Sequence, residues 1–209
     1  MAPAEHKRLA GRTIMAVACF DSFGKLAMTM LAACRKEGAE HRRLRHQLNN
    51  RALSRRQRLE IQRIDPRTRV EKHNWNDLRQ LCGPMPGTVD GLILGLDGQR
   101  SRDALLQLQN IWSGAEDRPR LLSAYPGILF RFGLEGMLDR SGADLLCLNS
   151  AEDLASYQRG RHALGLDSCN AVVTGLPILW RTKPRETAPE KPSLVFFEQP
   201  PLPAPPLPS

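Results

Sequence analysis

The chain has 209 residues, of which 41% are hydrophobic and 5% are aromatic. This composition supplies a core and excludes wholesale disorder, and the length suits one domain of ordinary size. The two best apolar runs, 13–20 and 26–34, are far shorter than the roughly 20 residues of a membrane-spanning helix. Five cysteines without a C-x-x-C pair disfavour a disulfide framework and a zinc site, and they favour the cytoplasm.

The net charge of +8 is concentrated in one segment. Residues 35–79 contain 14 basic and 6 acidic side chains, whereas the rest of the chain has 16 of each. Three interpretations stay open: a face that binds nucleic acid, a site for an anionic sugar, phosphate or lipid surface, and a solvated arginine-rich helix. Nucleic acid is the least favoured, because no binding motif is present and no aromatic residue precedes Trp75 in the segment.

Strand and helix patterns alternate along the chain. Apolar or alternating runs predict strands over 13–20, 59–64, 91–96, 120–124, 143–148 and 171–174. Helical periodicity predicts helices over 25–36, 77–82, 101–112 with Ser101 as its N-cap, 128–139 and 151–164. Such alternation predicts an α/β fold, specifically a doubly wound, Rossmann-like parallel sheet with helices on both faces.

The composition also predicts how the chain is divided. Residues 1–12 form a flexible N-terminal tail, 13–180 the Rossmann-like domain, and 181–192 a linker. Residues 193–209 contain one strand-like run, 193–198, and then a proline-rich tail; nine of the sixteen prolines lie in 184–209. One strand and a proline-rich tail do not make a domain. We therefore expect this segment to be the first strand of a second domain that is absent from this chain.

In an open α/β sheet, ligands bind at the carboxyl ends of the strands. The predicted loops there carry polar residues and glycines suited to a hydroxyl-rich or phosphorylated ligand: Ser22, Lys25, Asp97, Gly98, Tyr125, Gly127, Asn149, Ser150, Thr174 and Gly175. Each also has a structural interpretation, such as helix capping by Ser150 or a backbone role for Gly127 and Gly175. Dinucleotide-binding, P-loop and nucleophile-elbow motifs are missing, and the five histidines form no metal-ligand pattern.

The order of segments resembles the end of the N-terminal domain of GT-B glycosyltransferases. The resemblance is carried by the run 143–150 (ADLLCLNS), by Asp153, Tyr157 and Gly165, and by the run 171–177 (AVVTGLP). A wider set is similar to a bacterial group of glycosyltransferase-like proteins: Asp21-Ser22, Asp97-Gly98, Tyr125-Pro126-Gly127, Glu135-Gly136 and Arg140. The resemblance covers about residues 13–199.

The resemblance implies two facing Rossmann-like domains with the active site in the cleft between them. The N-terminal domain holds a glycan or lipid-linked acceptor, and the C-terminal domain holds the nucleotide-sugar donor. No metal or other cofactor is expected. A candidate catalytic base is Asp21 or Glu135. Asp21 has an alternative partner in Lys25 one turn along the helix, and Glu135, four residues after Arg131 and five before Arg140, has the alternative of a helix-surface ion pair. The acceptor contacts would be Lys25, Tyr125, Asn149 and Ser150.

Two other functions remain open. One is a non-catalytic Rossmann-like protein that holds an anionic partner through its arginine-rich segment. The other is an enzyme similar to sugar-nucleotide epimerases, which would also need a second domain. The expected partners are a nucleotide-sugar, the acceptor and the missing domain or a partner chain. The expected location is the cytoplasm, with the arginine-rich segment able to contact the anionic inner face of the membrane.

Overall fold

The computed structural model of the chain describes residues 8–40, 43–48, 53–125, 127, 133–166 and 168–177. The strands in this part are β1 (Ile14–Ala18), β2 (Arg43–Leu48), β3 (Arg69–Asn74), β4 (Gly91–Gly95), β5 (Arg120–Ala124), β6 (Leu145–Leu148) and β7 (Ala171–Val173). The helices are α1 (Asp21–Lys36), α2 (Arg55–Ile64), α3 (Leu78–Cys82), α4 (Gly98–Ile111), α5 (Gly133–Leu138) and α6 (Ala151–Ala163). A 3-10 turn, Trp75–Asp77, precedes α3.

The strands form one parallel sheet in the order β3-β2-β1-β4-β5-β6-β7. The chain builds outward from β1 to β3, returns to the other side of β1, and then builds outward again from β4 to β7. This is the doubly wound, Rossmann-like sheet that the sequence predicts. The direction of winding reverses between β1 and β4, so the carboxyl ends of these two strands mark the switch point of the fold.

Helices cover both faces of the sheet, which explains why β1 is apolar throughout. Met15 and Val17 belong to the cluster that packs against α3 and α4. Ile14 and Ala16 belong to the cluster on the opposite face, which packs against α1 and α2. Successive residues of a strand point to opposite faces, so a strand covered on both sides needs no polar positions.

The prediction of a strand over 59–64 is wrong, because these residues lie in α2. Ser54 caps this helix: its hydroxyl accepts from the Gln57 amide at 3.2 Å, and the Gln57 side chain accepts from the Ser54 amide at 2.9 Å. Ile61 is fully buried while Leu59 is 49% exposed, so the two side chains lie on different faces of a helix. The capping signal S-x-x-Q was present in the sequence.

The sequence analysis also missed two strands, β2 and β3, and assigned the charged segment that contains β2 to a solvated helix as one alternative. Their sequences, RLRHQL and RVEKHN, lack a continuous apolar run. Strand β3 forms the edge of the sheet and its residues are exposed or only partly buried. An edge strand pairs on one side only and tolerates charged side chains.

Two helix starts differ from the prediction. Helix α1 begins at Asp21 rather than at residue 25. Helix α4 begins at Gly98 and its N-cap is Asp97, whose carboxylate accepts from the Arg100 amide at 2.9 Å. The assignment of Ser101 as the N-cap is therefore wrong. Ser101 is buried, and its hydroxyl donates to the Leu96 carbonyl at 3.2 Å.

The predicted strands near β1, β4, β5, β6 and β7 are confirmed, and so are helices near α3 and α6. The first part of the predicted helix over 128–139 falls outside the described residues, and so do the linker over 181–192, the strand over 193–198 and the proline-rich tail. At the N-terminus, the Leu9 amide donates to the Glu37 carbonyl at 2.8 Å, and Arg12 pairs with Asp90 at 2.7 Å. The end of the predicted tail therefore contacts the domain.

Candidate functional site

The first helix and the fourth strand approach each other closely at the switch point. The Cys19 amide donates to the Gly95 carbonyl at 2.9 Å. A Cβ atom on Gly95 would lie 2.8 Å from the Phe23 carbonyl oxygen and 3.2 Å from the Cβ of Ala18. Glycine at position 95 therefore allows the start of α1 to pack directly on the end of β4. The turns that follow β1 and β4 lie side by side as a result.

Phe20 lies at the tip of the turn after β1 and has an unusual backbone. Its φ is 53° and its ψ is 168°, and it is the single non-glycine residue with positive φ in the described part of the chain. This region of conformational space is essentially restricted to glycine and costs about 1–3 kcal/mol. The side chain is 43% exposed, and the Arg100 guanidinium lies 5.2 Å from the ring centre. An aromatic ring and a cation therefore border the switch point.

Asp21 takes part in an ionic network that joins α1 to α2. One of its carboxylate oxygens accepts from Lys25 at 2.8 Å, and the Lys25 ammonium also donates to Glu60 at 2.8 Å. These two carboxylates raise the pKa of Lys25, and Lys25, followed by Arg56, lowers the pKa of Glu60. The second oxygen of Asp21 is buried and has no hydrogen-bond partner among the described residues. Ser22 is exposed.

Carboxylates occupy the start of α4. Besides capping the helix, Asp97 forms an ion pair with Arg100. A Cβ atom on Gly98 would lie 2.7 Å from a carboxylate oxygen of Asp139, and Asp139 in turn pairs with Arg102 at 3.3 Å. The positive end of the α4 dipole is therefore already met by two negative charges. Arg100 and Arg102 balance these charges, and the carboxylate oxygens can accept hydrogen bonds from the hydroxyl groups of a ligand.

Tyr125 is buried rather than open to a ligand. Its ring packs against the Arg140 guanidinium, whose central carbon lies 4.2 Å from the ring centre. Arg140 is only 2% exposed and donates to the carbonyls of Gly136 at 2.6 Å and Leu96 at 2.5 Å. Burial raises the pKa of Tyr125 to about 12, although the Arg140 charge opposes that rise. The pair joins the end of α5 to the residue that precedes Asp97.

The remaining predicted residues extend the same edge of the sheet. Asn149 donates to the Gly127 carbonyl at 2.5 Å, and Ser150 caps α6 by accepting from the Asp153 amide at 3.1 Å. Thr174 donates its backbone amide to Leu148 at 2.9 Å. Strands β6 and β7 are three and four places from β1. At roughly 4.8 Å per strand, these residues lie about 14–19 Å from the end of β1.

Glu135 and Gly175 have different surroundings. Glu135 is exposed in the first turn of α5, and no side-chain contact of Glu135 is found within the described ranges. Gly175 has a φ of 71° and open space around it, so its backbone conformation suffices to explain glycine there. We refer to the line from Phe20 and Asp21 through Asp97 to Asn149 and Ser150 as the carboxyl rim.

Two large cavities lie elsewhere on the molecule. One of about 880 Å³ is bordered by Thr13, Asp90 and Arg120 at the amino ends of the strands, and one of about 830 Å³ lies beside Trp112 and Ser141. Neither contains a residue of the carboxyl rim. In the described ranges, no three His, Cys, Asp or Glu side chains are grouped as metal ligands. None of the helices described here is long and apolar enough to cross a bilayer.

Two residues of this region were not predicted: Phe20, which belongs to the carboxyl rim, and Arg100, which lies against the Phe20 ring. A bulky residue between a buried strand and the first helix, where Rossmann folds usually place glycine, was a signal for Phe20. No sequence signal pointed to Arg100, because its contact with Phe20 depends on the pairing of β1 with β4.

The sequence profile of the family described as "Putative glycosyltransferase (DUF6716)" matches residues 14–206. The match spans most of the chain, so the chain belongs to this family. A search of the curated proteins gives no match. Among solved structures, the Bordetella bronchiseptica enzyme WbmF in complex with NAD+ and UDP aligns with 69% of this chain, with a TM-score of 0.41 and 11% sequence identity. The aligned part spans 50% of that enzyme.

Proposed function

We propose, with membership of this family as the premise, that the chain is the acceptor-binding domain of a GT-B-type glycosyltransferase. Such an enzyme transfers a sugar from a nucleotide-sugar to a hydroxyl of a glycan or lipid-linked acceptor. The observation that supports an acceptor site here is the carboxyl rim, where the exposed ring of Phe20 lies beside Asp21 and Asp97. A sugar has an apolar face that packs on an aromatic ring and hydroxyls that donate to carboxylates.

We propose Asp21 as the catalytic base. It lies at the switch point and its side chain is 28% exposed, and its buried second oxygen has no hydrogen-bond partner in the described part of the chain. The other oxygen is held by Lys25, which keeps a positive charge beside the carboxylate and fixes its orientation. In the reaction, the base removes the proton of the acceptor hydroxyl, the hydroxyl oxygen bonds to the anomeric carbon, and the nucleoside diphosphate leaves with the electron pair of the broken bond.

Glu135 is the alternative base. It is exposed and has no side-chain contact that would orient it, whereas a base must be held within hydrogen-bond reach of its proton. The distance along the rim also supports a division of roles. Asn149 and Ser150 lie about 14 Å from the end of β1, which Asp21 follows, beyond the reach of a single sugar ring. We assign them to further sugar units of the acceptor, and the donor nucleotide to a second Rossmann-like domain.

A glycan array tests acceptor binding with the chain as it stands. We expect the labelled chain to bind a defined set of glycans and Phe20→Ala to weaken that binding several-fold, because stacking on a ring contributes about 0.5–1.5 kcal/mol. The matched control is Asp117→Asn, which alters an exposed residue beside the cavity at the opposite edge of the sheet. Binding that is unchanged in Phe20→Ala would contradict the proposed site, and so would an equal loss of binding in the control.

Turnover of nucleotide-sugars tests the catalytic part. The measurement compares this chain with a version joined to a donor-binding domain, and we expect turnover only from the joined version. In that version Asp21→Asn should lower transfer by about 10²–10⁴-fold, the usual contribution of a general base, while Glu135→Gln should leave it nearly unchanged. Turnover by this chain alone would contradict the assignment of the donor to a second domain, and the reverse ranking of the two variants would move the base to Glu135.

A further inference from the structure

The outward face of α2 is a continuous basic surface. With about 100° of rotation per residue, the arc from about 60° to about 220° away from the buried Ile61 contains, in angular order, Arg58, Gln62, Arg55, Leu59, Arg63 and Arg56. All four arginines of this arc are exposed, and so is Leu59, at 49%. Arg67, in the turn that follows the helix, is exposed as well. We call these five arginines together with Leu59 the α2 basic surface.

Among the residues that the structure describes, most of the positive charge of this surface is not neutralised by acidic side chains. Glu60, the acidic residue of α2, is bound to Lys25 and Arg56. Asp65, at the end of the helix, is buried and pairs with Arg35. Within the described part of the chain, no ion pair is formed by the guanidinium groups of the other four arginines, Arg55, Arg58, Arg63 and Arg67.

We propose that the α2 basic surface docks the protein on a bilayer that contains anionic phospholipids. Exposed arginines on a short helix attract such a bilayer, and each basic residue near the surface strengthens binding. Leu59 lies at the centre of the arginine arc, where an apolar side chain can enter the boundary between headgroups and acyl chains. A nucleic-acid surface would instead be expected to present aromatic side chains for stacking on bases, and no aromatic residue lies between 53 and 74.

Docking in this way also sets the orientation of the carboxyl rim. Helix α2 follows β2, so it begins at the carboxyl edge of the sheet. Its link to α1 through Glu60 and Lys25 leads directly to Asp21. A bilayer along α2 therefore lies beside the edge that carries Phe20 and Asp21. This orientation would bring a lipid-linked molecule to the rim, but the docking itself is independent of the proposed enzymatic function.

Flotation with lipid vesicles tests the proposal on the full chain. We expect binding to vesicles of phosphatidylcholine mixed with phosphatidylglycerol, little binding to phosphatidylcholine alone, and a loss of binding as salt is raised. The triple variant Arg55→Gln, Arg58→Gln, Arg63→Gln should bind about a hundredfold less, because roughly 1 kcal/mol per arginine corresponds to about fivefold each. These side chains form no ion pair with any residue that the structure describes, so the melting temperature should stay close to that of the parent protein.

The control triple variant removes the same charge from other surfaces: Arg8→Gln, Arg79→Gln and Arg159→Gln, at three exposed positions. Binding retained by this control and lost by the α2 variant supports the proposal. Equal loss of binding in both triple variants would show that only the net charge matters and would overturn the proposal. A parent protein that binds no better to vesicles with phosphatidylglycerol than to those without it would overturn the proposal as well. Binding to a polyuridine RNA that depends on the α2 arginines and exceeds vesicle binding would also overturn it, since the surface would then serve nucleic acid.

Leu59→Ser separates insertion from simple charge attraction. Because Leu59 is half exposed and outside the core clusters, the change should not affect folding. We expect weaker binding to the anionic vesicles at a salt concentration where the parent protein still binds, and no change in any residual RNA binding. A vesicle affinity that is unaffected by Leu59→Ser at every salt concentration would refute the part of the proposal that places this side chain in the bilayer boundary.

Discussion

Replacing Phe20 by glycine should stabilise the protein relative to alanine, which is the reverse of the usual order. At a φ of 53° and a ψ of 168°, alanine carries the same backbone strain as phenylalanine, about 1–3 kcal/mol, whereas glycine carries almost none. Glycine lowers the free energy of unfolding by about 0.5–1 kcal/mol relative to alanine, because it makes the unfolded chain more flexible. The balance predicts that Phe20→Gly is more stable than Phe20→Ala by about 0.5–2 kcal/mol.

Urea unfolding at equilibrium measures this difference directly, with thermal melting as a second probe. In a chain of this length, 1 kcal/mol corresponds to roughly 2–4 °C in melting temperature. Both variants lose the ring and its contact with Arg100, which contributes about 0.5–1 kcal/mol at an exposed site, so that loss cancels in the comparison. If Phe20→Ala proves as stable as Phe20→Gly or more so, residue 20 is not held in the strained conformation, and the switch point is not built as described.

Three further changes probe the packing and the titrating groups around the site. Gly95→Ala should destabilise the fold by about 1–3 kcal/mol in urea unfolding, because the new Cβ would lie 2.8 Å from a carbonyl oxygen of α1. Gly142→Ala serves as the control, because its Cβ would meet nothing closer than 3.6 Å. Gly136→Ala should also destabilise the fold, because its Cβ would lie 2.8 Å from the Tyr125 hydroxyl oxygen. Adding Tyr125→Phe removes that oxygen and should restore about 1 kcal/mol of the lost stability in a double-mutant cycle. Strictly additive effects of the two substitutions would contradict this contact. Burial raises the pKa of Cys147 from 9.0 to about 11. Between these two pH values the folded protein keeps the thiol protonated while the unfolded chain loses the proton, so the contribution of this burial to stability is complete below pH 9 and is lost as the pH rises toward 11. Cys147→Ala should therefore flatten the decline of the free energy of unfolding over that interval.

Much of the fold was predictable from the sequence because several strands are buried on both faces. Strand β4 is buried at every position, and β1 likewise, so each appears in the sequence as a short continuous apolar run. Such a run, followed by a polar turn and an apolar helix, indicates a parallel sheet without further information. The same reasoning could not find β3, since an edge strand has no need of apolar residues on both faces.

The candidate site was only partly predictable for a related reason. The rule that ligands bind at the carboxyl ends of strands pointed to Asp21 and Asp97, and both lie at the switch point. The same rule also pointed to Tyr125, which in the structure is buried against Arg140. Position after a strand identifies the edge of the sheet, but it does not distinguish a side chain that faces a ligand from one that supports the neighbouring loop.

The linear sequence by itself determined the kind of sheet, the strands that are buried on both faces and the confinement of the excess positive charge to residues 35–79. These properties follow from local hydrophobic periodicity and composition. Only the tertiary structure decided that β1 lies next to β4, that the ring of Phe20 lies beside Arg100, and that the arginines of α2 point away from the core. Each of these depends on contacts between segments distant in the chain, and no local pattern encodes which distant segment will be the neighbour.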